Sequence, residues 1–128
     1  MHNLDQRRAA YAWEKVQGCS KEYENLAKSA PALIMNNGLM QILAFFETKA
    51  KSKKSKDYYK QFNEHICEWL GKQFQHIDEF PKNKGEFNFK AIMTALYQSE
   101  PLVYRQATEE ALALLRWIRQ FAPAVRND

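Results

Sequence analysis

The side chains in this sequence best suited to chemistry are its cations. Arg105, Arg116 and Arg119 fall in a C-terminal stretch whose apolar residues Ala107, Ala111, Leu114, Ile118 and Phe121 recur at helical spacing. At about 100° per residue, the three arginines share an arc of about 60° on the side away from that apolar stripe. Arg105 and Arg116 would stand about 16 Å apart along the axis, enough to span several nucleotides. A guanidinium is a planar fork of donors that matches phosphate oxygens in pairs. Glu109 and Leu112 share the same face. The stretch therefore reads either as a phosphate-binding surface or as a solvated helix face with its own acidic partner.

Two further groups have the same chemistry. Arg8, Tyr11 and Lys15 line one side of an N-terminal helical pattern, with an aromatic ring between two cations. Such a strip can take phosphates and a stacked base, or be ordinary helix surface. Lys49, Lys51, Lys53, Lys54 and Lys56 crowd a low-complexity run. That run suits backbone phosphates without sequence preference, or serves as a solubilising linker.

No catalytic constellation accompanies these cations. The sequence has no Gly-rich phosphate loop, no GxSxG, no HExxH and no Cys/His metal spacing. His2, His65 and His76 are isolated. His65 precedes Trp69 by one helical turn and reads as an edge-of-core histidine rather than a base. His76 lies near Asp78 and Glu79 in a loop, a weak metal site. No cofactor and no metal are expected.

Six helical segments must position these groups. The first is expected over residues 4–17, with Ala9, Ala12, Trp13 and Val16 inward and Gly18 as its stop. Ser20 caps a second that ends before Pro31. Pro31 suits the first turn of a third, over residues 32–50. That third helix is apolar nearly all round, including Leu33, Met35, Leu39, Phe45 and Phe46, and is expected to be central and buried. Gly38 inside it is expected to admit a close helix neighbour. The fourth spans residues 57–72 with Tyr59, Phe62, Ile66, Trp69 and Leu70 on one stripe, and a loop follows over residues 73–86. Asn88 caps the fifth, which carries Phe89, Ile92, Met93 and Leu96. Ser99 caps the last, with Pro101 in its first turn. Nothing alternates at period two. The expected fold is all-α, one compact domain over residues 1–128 built as a bundle of about six helices.

Composition agrees. The 128 residues are 45% hydrophobic and include only 4 Gly and 4 Pro, too few breakers for a many-stranded sandwich. The net charge of +4, from 19 Lys and Arg against 15 Asp and Glu, permits an anionic partner without demanding one. Cys19 and Cys67 form no CxxC pair and suit a reducing compartment. The N-terminus lacks an apolar signal core, and the longest apolar run, near residues 39–46, is far below the roughly 20 residues a bilayer needs. A cytoplasmic location without membrane contact is the expectation.

Three segments carry a family resemblance. They are Asp5-Gln-Arg-Arg-Ala-Ala-Tyr-Ala12, the stretch from Leu26 to Phe45 containing Ser-Ala-Pro-Ala-Leu-Ile-Met-Asn-Asn-Gly-Leu-Met, and the stretch from Tyr104 to Ala122. Together they resemble the small subunit of the type III-B (Cmr) CRISPR effector complex, in the expected order and over most of the chain. The resemblance implies a helical protein that repeats in a filament beside the backbone subunits holding the guide RNA. It also implies that the protein helps accommodate the target RNA and has no nuclease activity. Cutting would belong to the backbone subunit and second-messenger synthesis to the large polymerase-like subunit. Arg7 and Arg8 lie in the first matching segment, and Arg105, Arg116 and Arg119 in the last. Against this stand a helical adaptor that binds only protein and, third, a small enzyme centred on His65.

Overall fold

The computed structural model describes residues 1–52 and 57–126. Among them it forms six α-helices, one short 3-10 turn and no strand. Helix α1, Leu4–Val16, starts in a reciprocal cap: Asn3 Oδ1 accepts the Gln6 N–H at 2.8 Å and Gln6 Oε1 accepts the Asn3 N–H at 2.9 Å. Ala12 and Val16 are buried, but Trp13, expected inward, is 49% exposed and packs its edge on Phe121.

Helix α2, Lys21–Asn37, is capped by Ser20 Oγ, which accepts the Tyr23 N–H at 3.1 Å. It runs straight through Pro31, so the expected break there is not formed. An internal proline forfeits one backbone bond and costs about 3 kcal/mol. Burial of Ala27, Ala30 and Ile34 on either side of the proline, each at most 1% exposed, offsets that loss.

The break falls at Gly38 instead. Its φ of 90° closes α2 and opens α3, Leu39–Ala50. An L side chain rarely adopts that backbone conformation, whereas glycine does so freely. A Cβ there would sit an ordinary 3.4 Å from Tyr104 Oη, so backbone conformation rather than close packing explains this glycine. The same hydroxyl accepts the Met40 N–H at 3.2 Å and satisfies an orphan donor at the start of α3. The apolar circumference is only half used. Leu39, Ile42, Leu43 and Phe46 are buried, while Met35 on α2 and Phe45 on α3 remain 74% and 46% exposed.

Helix α4, Tyr58–Phe74, is the more deeply embedded element, burying Phe62, Asn63, Ile66, Cys67, Trp69, Leu70, Gly71 and Phe74. A Cβ at Gly71 would stand 2.3 Å from the Phe87 ring, so glycine is required there for close approach. The connection after α4 is more than a loop. It carries the 3-10 turn Lys84–Glu86 and anchors itself through buried Phe80 and Phe87, with Phe80 stacked on Phe74 at 5.4 Å.

Asn88 caps α5, Phe89–Gln98, by accepting the Ala91 N–H at 2.9 Å. Ser99 closes α5, bonding back to the Ala95 carbonyl, and is not the cap of the next helix. Helix α6, Pro101–Val125, begins on a proline that needs no N–H partner. It packs chiefly on α1 and α2 through Ala107, Ala111, Leu114, Leu115, Ile118 and Ala122.

Candidate nucleic-acid interface

Helix α6 holds its arginines as its amphipathic pattern dictates. Arg105, Arg116 and Arg119 are exposed, and none joins an ion pair among the described residues. Glu109 is also exposed on that side, but it forms no ion pair with them. Arg7, on α1, is exposed and unpaired among the described residues as well. These guanidinium groups are therefore available to an outside anion.

The strip expected on α1 is taken up internally. Arg8 Nε and Nη2 donate to Glu110 Oε2 and Oε1 of α6 at 2.6 and 2.7 Å, a bidentate pair. Trp69 Nε1 of α4 donates to the same Glu110 Oε2 at 2.9 Å, so one carboxylate, only 8% exposed, ties three helices together. The hydrogen bond to Glu110 is also what raises the Arg8 pKa above its ordinary value. Asp5 Oδ1 adds a clamp, accepting Trp117 Nε1 at 2.9 Å and Arg8 Nη1 at 3.2 Å. Tyr11, the expected stacking ring, is 6% exposed. Its hydroxyl donates to Glu68 Oε1 at 2.8 Å, and its ring lies 5.4 Å from Lys15 Nζ and 5.0 Å from Lys72 Nζ. Lys15 reaches Glu68 at 3.5 Å. Arg8, Tyr11 and Lys15 thus hold the fold together and do not form an open platform.

The lysine run divides. Lys49 is exposed with its ammonium 5.4 Å over the Phe45 ring, and Lys51 is exposed just past α3. Lys53, Lys54 and Lys56 lie outside the described residues.

Sequence reasoning missed the internal charges. Glu110 sits on the inward edge of α6, and a carboxylate there needs a partner. That was the available signal. Glu24 of α2, 3% exposed, is met by Lys28 at 2.9 Å, Lys21 at 3.4 Å and Arg126 at 2.9 Å. Hydrogen bonds from Lys28 and then Lys21 hold its carboxyl below the usual range, against the opposing effect of burial.

His65 is half-buried, with Nδ1 2.7 Å from the Tyr23 hydroxyl. Burial, and then the Lys15 charge, push its pKa down to about 4. The unfolded chain therefore binds the proton first as pH falls, and stability is lost between about pH 6.5 and 4. We expect a loss of about 2 kcal/mol from pH 7 to 5 in urea titrations, largely absent in His65→Gln. Asp5, Glu24 and Glu68, whose carboxyls are lowered, add losses only further into acid.

Among the described residues, no group of three His, Cys, Asp or Glu side chains is placed to hold a metal. No described helix is long and apolar enough to cross a membrane. Fold and surface together define a small helical-bundle protein whose buried Glu24 and Glu110 are paired internally and whose exposed α6 arginines join no ion pair among the described residues. Residues 4–125 match the family model described as CRISPR-associated protein (Cas_Cmr5), and the chain belongs to that family. A relative from Thermus thermophilus, CRISPR system Cmr subunit Cmr5, is 27% identical over 133 residues and is aligned over all of both chains. The crystal structure of a CRISPR-associated Cmr5 family protein, also from Thermus thermophilus, superposes with a TM-score of 0.74 at 26% identity, covering 99% of this chain and 100% of that one.

Proposed function

We propose that this protein is the non-catalytic small subunit of a cytoplasmic type III-B CRISPR RNA-guided complex. In that complex it repeats as a filament beside the backbone subunits, near the large polymerase-like subunit, and contacts guide and target RNA through the α6 arginine face. The observation that carries the reading is the contrast in charge use. Arg8 and Arg126, whose side chains are 18% and 17% exposed, are engaged with Glu110 and Glu24, while exposed Arg105, Arg116 and Arg119 join no ion pair among the described residues. Family membership over residues 4–125 supports the assembly, and the Thermus relative is named as a Cmr subunit. Exposed Tyr97, Leu102, Met35 and Phe45 offer apolar contact area to partner subunits.

In this role the protein needs charge and shape, because base pairing between guide and target reads the sequence. A single copy neutralises few phosphates and binds RNA weakly, and repetition along the filament raises avidity. The test is target-RNA affinity of reconstituted complexes carrying Arg105→Glu and Arg116→Glu. We expect assembly to be intact and affinity to fall by at least about tenfold. A protein-only adaptor would leave affinity unchanged.

A further inference from the structure

Three aromatic rings lie together on the seam between α1 and α6. Trp13 of α1 stands nearly perpendicular to Phe121 of α6, at 86° and 5.1 Å between ring centroids. Trp117, about one helical turn before Phe121, lies 5.4 Å from the same ring at 35°. Trp117 and Phe121 are half-buried, and Trp13 is the exposed member at 49%. Tryptophan carries a large apolar ring, so leaving it open forgoes stabilisation that burial would supply. The seam is also held in place. Trp117 Nε1 donates to Asp5 Oδ1 at 2.9 Å, which ties that indole to α1. Rings already ordered lose little freedom when a ligand stacks on them.

A cation stands beside the rings. Arg116 directly precedes Trp117 on α6, about 100° round the helix. It is exposed and joins no ion pair among the described residues. Its charge reaches the seam. The Trp117 hydrogen bond first, then Arg8 and then the Arg116 charge hold the Asp5 carboxyl below its usual range, against the opposing effect of desolvation. Asp5 Oδ1 itself is occupied by the Trp117 and Arg8 donors. A nucleotide presents the matching pair of groups, a flat π-face one sugar away from a phosphate. The guanidinium suits the phosphate. The base stacks without needing net charge on the rings, and every base has a face to offer.

We infer that the Trp13 indole, backed by Phe121, is a stacking platform for an unpaired nucleobase of the RNA strand whose phosphates the α6 arginines hold. The inference rests on the RNA reading above and adds a contact to a base, where that reading has contacts to the backbone alone. It gives the subunit a preference for single-stranded RNA that tolerates sequence, because bases inside a duplex keep their faces stacked on each other.

The experiment uses the 15N-labelled full chain at constant ionic strength and follows the indole N–H resonances. An oligoadenylate of eight nucleotides is titrated beside an abasic oligonucleotide of the same length, which has the phosphates without the bases. With oligoadenylate, the Trp13 resonance should move upfield and saturate, while that of Trp69, 3% exposed, stays in place. The abasic strand should shift the backbone amides around Arg116 and leave the Trp13 indole unmoved. Trp13→Leu, which keeps an apolar side chain without a π-face, should weaken oligoadenylate binding about five- to tenfold and leave abasic binding unchanged. Trp13→Phe should retain most of the affinity and serves as the second variant if Trp13→Leu unfolds. Oligoadenylate binding that shifts the α6 amides but not Trp13 would overturn the platform and leave the arginine reading standing. No shift with either strand would count against both. Equal Trp13 shifts with both strands, or unchanged oligoadenylate affinity in folded Trp13→Leu, would also overturn the platform. So would failure of Trp13→Leu to assemble with the other subunits in the absence of target RNA, which would assign the patch to a protein partner.

Discussion

Replacing Glu110 with alanine is expected to destabilise the protein by about 2–4 kcal/mol. The Glu110 carboxylate is the shared acceptor for both Arg8 nitrogens and for the Trp69 indole, at 2.6, 2.7 and 2.9 Å. Removing it leaves a guanidinium and an indole N–H with donors unmet beneath the surface. The Arg8 side chain keeps 18% exposure, so water reaches it in part, and the loss stays below that of a fully enclosed pair. Arg8→Ala should cost a similar amount, because it strands a carboxylate whose side chain is 9% exposed. The double substitution should cost clearly less than the sum of the two. Urea denaturation of the four proteins checks this. Additive losses would mean that the pair contributes little beyond two separate surface groups.

Phe46→Ala is expected to cost about 3–5 kcal/mol, and the adjacent Phe45→Ala less than about 1. Phe46 is fully buried and meets Phe62 edge-on at 5.6 Å and Tyr59 at 5.9 Å. Phe45 is 46% exposed beneath the Lys49 ammonium. Thermal and urea midpoints of the two variants decide the matter. Similar losses from both would contradict the half-buried placement of α3 and favour a helix enclosed all round.

The contrast between Phe45 and Phe46 shows where sequence reading stops. Periodicity marked α4, α5 and α6 well, because their apolar stripes are narrow and their polar faces unambiguous; on α1 it put Trp13 inward and Tyr11 outward, and the structure reverses the two. The apolar stretch around residues 32–50 has no polar face, so nothing in it says which side meets water. Pro31 misled for a related reason. Its usual meaning is a helix start, and the burial of Ala27, Ala30 and Ile34 around it carries the helix past it. Gly38 did mark a real discontinuity, but its φ of 90° makes it a junction between two helices and not a seat for a neighbour.

The candidate site divides in the same way. The outward arginines of α6 follow from helical geometry alone. Arg8 and Lys15 sit at positions of similar character, and only their long-range partners, Glu110 at a separation of 102 residues and Glu68 on α4, turn them inward. No local pattern encodes such a pairing. The position of Glu110 on the buried edge of α6 is the one sign that a distant cation had to exist.

Contact between Arg105, Arg116 and Arg119 and RNA phosphates in the assembled complex is tested most directly by the slope of log affinity against log salt for target RNA. It is measured on complexes reconstituted with wild-type subunit or with all three arginines changed to glutamine. Each phosphate contact contributes about 0.7 to a single-strand slope, so three contacts in one subunit predict a slope shallower by about 2, and more where several copies engage. The far-ultraviolet circular dichroism spectrum and complex assembly should be unchanged, since none of the three side chains makes an internal ion pair among the described residues. Parallel lines of equal slope, with assembly intact, would contradict the contact and leave this face as solvated surface.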